Sequence, residues 1–253
     1  MISVEPKIDL SVVIPAFNEE ARIGASLNAV RAYLESRPYA SEIIVVDDGC
    51  RDRTCEVAAA CLTGRRGDQI LRRGKNRGKG FSVAEGVSAS RGRLVLFSDA
   101  DLSTPIEEVE KLLPLLDRNF DIVIGSRALP ESDIRIRQSR CREGMGKTFN
   151  FFVRLLVLRG IKDTQCGFKL FRREAARDIF PRLKTRGFSF DVEALFVARR
   201  RGWRIAQVPV VWNNSPQSKV RLFRSSASMF LDLWRIRRLH RRDQDASAGE
   251  AGR

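Results

Sequence analysis

Short apolar runs alternate with stretches of helical periodicity along the first half of the chain. Residues 10–14, 42–46, 94–97 and 121–124 are dense in Val, Ile and Leu and read as strands, with 69–71 a shorter one. Between them, polar and apolar positions recur at helical spacing over 19–36, 52–62, 80–90 and 105–117, the last opening with Pro105 and two acids. Strands that read as continuous apolar runs are covered on both faces, and alternation with helices implies parallel crossovers. The expectation is an α/β fold with an open, mostly parallel sheet flanked by helices over the first 125 residues.

Beyond Arg127 the rhythm changes. A basic loop leads into a helix over 145–158 with Phe149, Phe152, Leu155 and Leu156 on one side. A strand follows at 167–171, a helix at 190–201 and an extended stretch at 204–209. The pattern divides the chain into a domain over 1–222, with a change of character between 1–127 and 128–222. A basic amphipathic helix follows at 223–242, then a disordered tail at 243–253. In that helix Met229, Phe230, Leu233, Trp234, Ile236 and Leu239 alternate with Arg235, Arg237, Arg238, Arg241 and Arg242. Such a helix with Trp suits a membrane interface, the alternative being a surface helix docked on its own domain.

Charge sharpens this picture. The 253 residues carry a formal net charge of +15. Two segments hold nearly all of it: 135–159 contributes +6 and 219–242 contributes +7. A polyanionic partner is implied, and an anionic membrane surface or a phosphorylated substrate fits two local patches. Nucleic acid is set aside, because neither segment carries a helix-turn-helix or RNP-type aromatic motif. No run of 18 apolar residues occurs, short of what a spanning helix needs. The opening residues lack a leader pattern. The expected place is peripheral, on the cytoplasmic face of a membrane. Five cysteines without a C-x-x-C pair favour a reducing compartment, and the lone His240 argues against a Ser-His-Asp triad or a His-ligated metal.

Ligands of an open parallel sheet bind beyond the carboxyl ends of its strands. Three polar clusters fall there: Pro15-Ala-Phe-Asn-Glu19, Asp47-Asp48-Gly49 and Asp99-Ala-Asp101. A single Asp at such a place is an ordinary helix cap; three convergent clusters indicate a site. Asp99 and Asp101 project to one side of an extended chain and suit a hard cation, Mg²⁺ or Mn²⁺, with substrate phosphates completing the shell. Gly74-Lys-Asn-Arg-Gly-Lys-Gly80 has the wrong spacing for a P-loop, yet Asn76, Gly78 and Lys79 suit either a loop near phosphate or a solvated turn.

Taken in order, Ser-Val-Val-Ile-Pro-Ala-Phe-Asn-Glu, Val-Val-Asp-Asp-Gly, Asn-Arg-Gly-Lys-Gly, Phe-Ser-Asp-Ala-Asp and Ile-Gly-Ser-Arg resemble the inverting family 2 glycosyltransferases of GT-A fold. Asp163-Thr-Gln-Cys-Gly-Phe-Lys-Leu-Phe171 is similar to the polyprenyl-phosphate branch, nearer its glucosyl-transferring than its mannosyl-transferring members. The resemblance spans about 10–222 and implies a nucleotide-sugar and metal-binding half over 1–127 and an acceptor-binding half over 128–222. It implies hexose transfer, glucose from UDP-glucose, onto polyprenyl or dolichyl phosphate. A family 2 enzyme acting on a sugar hydroxyl, or a mannosyl transferase using GDP-mannose, is the alternative.

Residue by residue, the resemblance implies that Pro15, Glu19 and Asp47 hold the nucleoside, with Asp48 and Lys79 near it. Asp99 and Asp101 bind the metal and diphosphate, Asp101 being central to catalysis. Arg127, with Arg142 or Arg140, holds the acceptor phosphate. Gln165 lines the sugar pocket, and Ser218-Lys219 closes over the diphosphate. Cys50 stands where the family often has Ser, and Ser103 where mannose-type relatives carry an amide. Asp191 occupies the place of a base in hydroxyl-accepting relatives and stays an open catalytic candidate; Glu193 is read as orienting basic side chains. A phosphomonoester acceptor needs no base, since its second pKa is about 6.

Overall fold

A computed structural model of the chain describes residues 8–65, 67–136, 140–185, 187, 189–213 and 232–240. The apolar runs become strands within a residue or two of their expected limits: β1 (Leu10–Ala16), β2 (Ser41–Asp47), β3 (Gln69–Leu71), β4 (Leu94–Ser98) and β5 (Ile122–Ser126). Helices α1 (Ile23–Glu35), α2 (Thr54–Leu62), α3 (Lys79–Ala89) and α4 (Val109–Asp117) lie between them. A 3-10 turn, Ile106–Glu108, begins where the fourth helix was expected to open.

The second half contributes β6 (Asp133–Ile136), α5 (Arg140–Leu156), β7 (Phe168–Arg172), α6 (Arg173–Ile179), α7 (Phe190–Arg200), β8 (Ile205–Pro209) and β9 (Val211–Asn213). The main sheet has the order β3-β2-β1-β4-β7-β5-β8. β1, β2, β3 and β4 pair in parallel, as do β5 and β8, while β7 runs antiparallel to both β4 and β5. The two halves of the chain therefore share one sheet. β6 and β9 form a separate parallel pair, tied to the main site by Asn213 N–H donating to Ser103 O at 2.7 Å.

Strand alternation divides the core into two layers. Val12, Ile14, Ile43, Val45, Leu96 and Leu170 pack beneath α1, α2 and α4. Val13, Ile44, Val46, Val95, Phe97 and Ile124 pack beneath α3, α6 and α7. Both faces are covered, as the continuous apolar runs required.

A C-terminal helix occupies 232–239. Leu233 and Ile236, expected as membrane-facing residues, are instead fully buried in the layer beneath α3, α6 and α7. The physical reason is their i, i+3 spacing, which puts both on one stripe facing the domain. Trp234 points the other way, 68% exposed. Met229, Phe230, Lys219 and the 243–253 tail lie outside the described residues.

Candidate functional site

The carboxyl ends of β1, β2 and β4 converge, and each terminates in one of the polar clusters. At β2, Asp47 is almost fully buried. Its Oδ1 accepts from the Cys50 N–H at 2.7 Å and its Oδ2 from the Cys55 thiol at 2.8 Å. Burial works to raise its pKa, but the Cys50 and Cys55 hydrogen bonds outweigh it, and the carboxyl is held below its ordinary value. The two thiols are pushed up to about 12, first by burial and then by Asp47. Cys50 also receives the Asn18 N–H at 3.2 Å, so the thiol closes the ends of β1 and β2 together.

Asp48 turns the other way and fixes the Gly-rich loop. Its carboxylate accepts from the Arg77 N–H at 2.8 Å and the Gly78 N–H at 2.9 Å, with Arg73 3.3 Å away. Gly49, with φ +77°, lets the two segments close: a Cβ there would stand 2.5 Å from the Lys75 backbone. Lys75, Asn76, Arg77, Gly78 and Gly187 line an open cleft of about 690 Å³. The loop is tied to the end of β2 through Asp48, while its residues 74–77 are exposed.

The loop delivers Lys79, the first residue of α3, to the Asp-Ala-Asp segment. Its ammonium is 2.6 Å from Asp99 Oδ1. That oxygen is buried, and this ion pair is its contact. Asp101 lies 3.6 Å from Arg22, which also pairs with Glu19, and accepts the Ser103 N–H at 3.1 Å. Burial, then the neighbouring Asp99 charge, raises the Asp101 carboxyl above its ordinary value. Asp99 N–H donates to Gly167 O at 3.1 Å across the β4–β7 boundary. A Cβ on Gly167 would come within 2.0 Å of the Asp99 carboxylate, so the glycine of the Asp163–Phe171 motif is what admits that side chain.

Two carboxylates two residues apart, close enough that the Asp99 charge raises Asp101, form an all-oxygen donor set that fits a hard divalent cation. Among the described residues no group of three or more His, Cys, Asp or Glu converges as a metal cage. The Asp99–Asp101 pair thus suits an ion that takes its remaining ligands from donor phosphates and water.

The other expected residues are placed differently. Arg127 is clamped by Asp163: Nε donates to Oδ2 at 2.7 Å, Nη2 to Oδ1 at 2.9 Å and the backbone N–H to Oδ2 at 3.0 Å. The guanidinium also sits 5.3 Å from the Trp212 ring. Burial opposes ionisation of Asp163, but the Arg127 charge and hydrogen bonds prevail and hold its carboxyl well below the usual range. Asp191 is buried, with Oδ1 2.5 Å from the Lys169 ammonium. Burial raises its carboxyl above the ordinary value, against the pull of Lys169 and Lys79. A carboxylate so enclosed is a charge partner inside the protein, not an exposed base. Glu193 was read as orienting Arg or Lys side chains; among the described residues it accepts from the Lys184 and Thr185 backbone N–H groups, the Thr185 hydroxyl and one basic side chain, the His240 ring. Gln165 Nε2 is buried with no partner. Pro15 lies in β1 opposite Val46. Arg140 and Arg142 fall on the first turn of α5, where side chains are not described; Lys219 is outside the described residues.

Sequence reasoning passed over Arg22, Lys169 and the partnership of Arg127 with Asp163. Arg22 had a signal, its i+3 spacing from Glu19. Lys169 and Asp163 lay in a quoted motif but had no local partner to reveal their roles.

The chain belongs to glycosyl transferase family 2, whose model matches residues 11–180. It is 39% identical over 242 residues to the dolichyl-phosphate beta-glucosyltransferase of Dictyostelium discoideum, covering 91% of this chain and 74% of that protein. It is 38% identical over 245 residues to the dolichyl-phosphate beta-glucosyltransferase of Homo sapiens, covering 92% and 76%. In structure it is similar to mannosyl-3-phosphoglycerate synthase from Rubrobacter xylanophilus, with TM-score 0.71 and 24% identity over 93% of this chain and 75% of that one. Glucosyl-3-phosphoglycerate synthase from Mycobacterium tuberculosis, solved with Mn²⁺, UDP and glucosyl-3-phosphoglycerate, matches with TM-score 0.65 and 23% identity over 89% and 80%. These two likenesses establish the fold.

Proposed function

We propose that this protein transfers glucose from UDP-glucose to dolichyl or another polyprenyl phosphate, inverting the anomeric centre, at a membrane surface. The observation that carries the reading is the 39% identity to a dolichyl-phosphate beta-glucosyltransferase along 91% of the chain. The convergent carboxylates give it a chemical basis.

Pro15, Glu19 and Asp47 frame the nucleoside. Asp47 stays ionised and so accepts a donor N–H from a base. Asp48 keeps the Lys79-bearing loop closed against the diphosphate. Asp99 and Asp101 would hold Mg²⁺ or Mn²⁺, which when bound supplies positive charge against the leaving diphosphate. Gln165 offers an unpartnered amide N–H to the sugar. Arg127, fixed by Asp163, presents one face of its guanidinium to the acceptor phosphate, joined by Arg140 or Arg142, and Lys219 closes over the diphosphate. The acceptor is itself the nucleophile, so the burial of Asp191 is no obstacle: a phosphate dianion needs no base. Asp191 and Lys169 act as positioning residues behind the metal pair.

The 1–127 half serves the donor and the 128–222 half the acceptor. Phe151 at 52% exposure, Leu155 at 60% and Trp234 at 68% supply apolar contacts on α5 and the C-terminal helix. Arg154, Arg235, Arg237 and Arg238 are exposed beside them. Anionic lipid adds about 1 kcal/mol per basic residue at the surface. Among the described residues no helix is long and apolar enough to cross a membrane, and the proposed attachment is peripheral, on the cytoplasmic face.

The test is incubation with UDP-glucose or GDP-mannose, polyprenyl phosphate and Mg²⁺ or Mn²⁺, with mass spectrometry of the lipid fraction. A glucosyl phospholipid made from UDP-glucose is expected. Mannosyl lipid alone, or transfer only to sugar hydroxyls, would overturn the reading.

A further inference from the structure

The acidic pair is already faced by two cations of the chain itself, Lys79 on Asp99 and Arg22 on Asp101. The two contacts are unequal. Arg22 stands 3.6 Å off and is engaged by Glu19, whereas the Lys79 ammonium is 2.6 Å from a buried oxygen of Asp99. An Mg²⁺ or Mn²⁺ ion on that oxygen would stand at about 2.1 Å from it, and so within about 5 Å of the ammonium. Two cations that close in a half-buried pocket repel strongly.

We propose that Lys79 is a built-in counter-cation that occupies the divalent ion's place on Asp99 when no metal is bound, and that the incoming ion turns it away. The inference rests on the metal reading of the Asp99–Asp101 pair. While paired with Asp99 the Lys79 ammonium already lies 5.2 Å from the Phe97 ring and 5.9 Å from the Phe190 ring, distances at which aromatic faces attract a cation and can keep hold of it as it turns from Asp99. Beyond them stands Asp191, whose charge acts on Lys79 as well as on its partner Lys169. The Gly-rich loop pinned by Asp48 fixes where α3 begins, so the motion is one of the Lys79 side chain and not of the backbone.

The consequence is a coupling between metal and donor. The bare site is neutral enough to stay folded, and it disfavours a lone ion. A donor diphosphate supplies anionic oxygens for both the ion and the displaced ammonium, so metal and nucleotide bind together better than either alone.

The experiment measures Mn²⁺ affinity by electron paramagnetic resonance and calorimetry on the full chain, with and without UDP. The variants are Lys79→Met, Lys79→Gln and Arg22→Gln, with thermal melts to verify folding. Without UDP, both Lys79 variants are expected to bind Mn²⁺ about tenfold tighter than wild type, within the usual range of coupling factors. Arg22→Gln, which removes the same charge from a looser contact, is expected to gain less than half that on a logarithmic scale. UDP should tighten Mn²⁺ binding less in the Lys79 variants than in wild type. Equal Mn²⁺ affinity in wild type and folded Lys79 variants overturns the proposal alone, as does an equal gain from Arg22→Gln, which would mean only a general field. Absence of Mn²⁺ binding in every form, UDP included, overturns the metal reading and this inference with it.

Discussion

Two sets of carboxylates, one on each side of Arg127, are used in opposite ways. In the half after Arg127, Asp163, Asp191 and Glu193 are all buried, and each is closed by a partner of its own: Arg127, Lys169 and His240. In the half before it, Asp47 and Asp48 are likewise closed by their own donors. Asp99 and Asp101, however, stand two residues apart and face the chain's own cations Lys79 and Arg22, and the Asp99 charge helps burial raise the Asp101 carboxyl. The contrast separates scaffold from chemistry. A buried acid with a two-pronged partner and backbone donors is costly to break and has nothing left to offer a substrate. An acid pair held so close that one charge raises the other's pKa is costly to keep, and such an arrangement persists where a ligand repays it.

The largest effect expected from breaking the contrast is on stability. Asp163→Asn leaves the Arg127 guanidinium without its counter-charge, and about 3 kcal/mol should be lost, the exposed quarter of that side chain keeping it at the low end for a broken buried pair. Asp99→Asn should change stability by less than about 1 kcal/mol, since it removes a repulsion as well as an attraction. Urea unfolding of both variants checks this. Equal losses would mean that the two carboxylates are used alike.

The converse variant acts on turnover. Asp101→Asn keeps shape and removes charge, and at least about a hundredfold of the rate should go, the usual scale for one electrostatic contribution to the transition state. Its melting temperature should stay within a few degrees of wild type. Full activity in this variant, or in excess chelator, would remove the metal from the mechanism and leave the first half's acids unexplained.

Acid should single out the second half. The folded-state pKa of Asp163 is depressed, so its stabilisation is fully present above the unfolded value of about 3.9 and is lost as pH falls from there towards the folded value. The wild-type stability curve should therefore steepen below about pH 4 by close to one proton, and Asp163→Asn should lack that proton. Asp101 works the other way. Its folded pKa is raised, so it favours the folded state only in acid, and that contribution fades as pH rises through the folded value. Denaturant melts of wild type and both Asn variants across pH 3 to 6 would resolve the two signs.

Much of this division was present in the sequence, but unevenly. The strands of the first half were legible because each apolar run is local and covered on both faces. The polar clusters at their ends were legible because an α/β sheet directs its loops to one edge. The place of β7 was not: Gly167–Phe171 reads as a strand, but nothing local says that it inserts antiparallel between β4 and β5. That insertion is what sets Gly167 against Asp99. The clamp on Arg127 was hidden for the same reason, since Asp163 is 36 residues away in the chain. The C-terminal helix was read as one amphipathic surface because a helical wheel does not reveal which stripe finds the domain.

That helix supplies the smallest expected effect and the finest test of the contrast. It belongs to the second half's scaffold on its inner side: Leu233 and Ile236 are buried, Asp232 accepts from the Ser189 hydroxyl at 2.7 Å, and His240 meets Glu193 at 2.6 Å. Deleting it would expose that core and strand Glu193, so loss of membrane binding after truncation would prove nothing about membranes. Its outer side can be changed alone. Trp234→Ala, and Arg235, Arg237 and Arg238→Gln together, alter only exposed groups and should shift stability by no more than about 0.5 kcal/mol. Both changes should weaken co-sedimentation with anionic vesicles. High salt should weaken the wild type and the Trp234 variant alike, because it screens the arginines and not the indole. Unchanged vesicle binding at unchanged stability would assign the whole helix to the scaffold, outer face included, and leave α5 with Phe151 and Leu155 as the surface that meets the lipid.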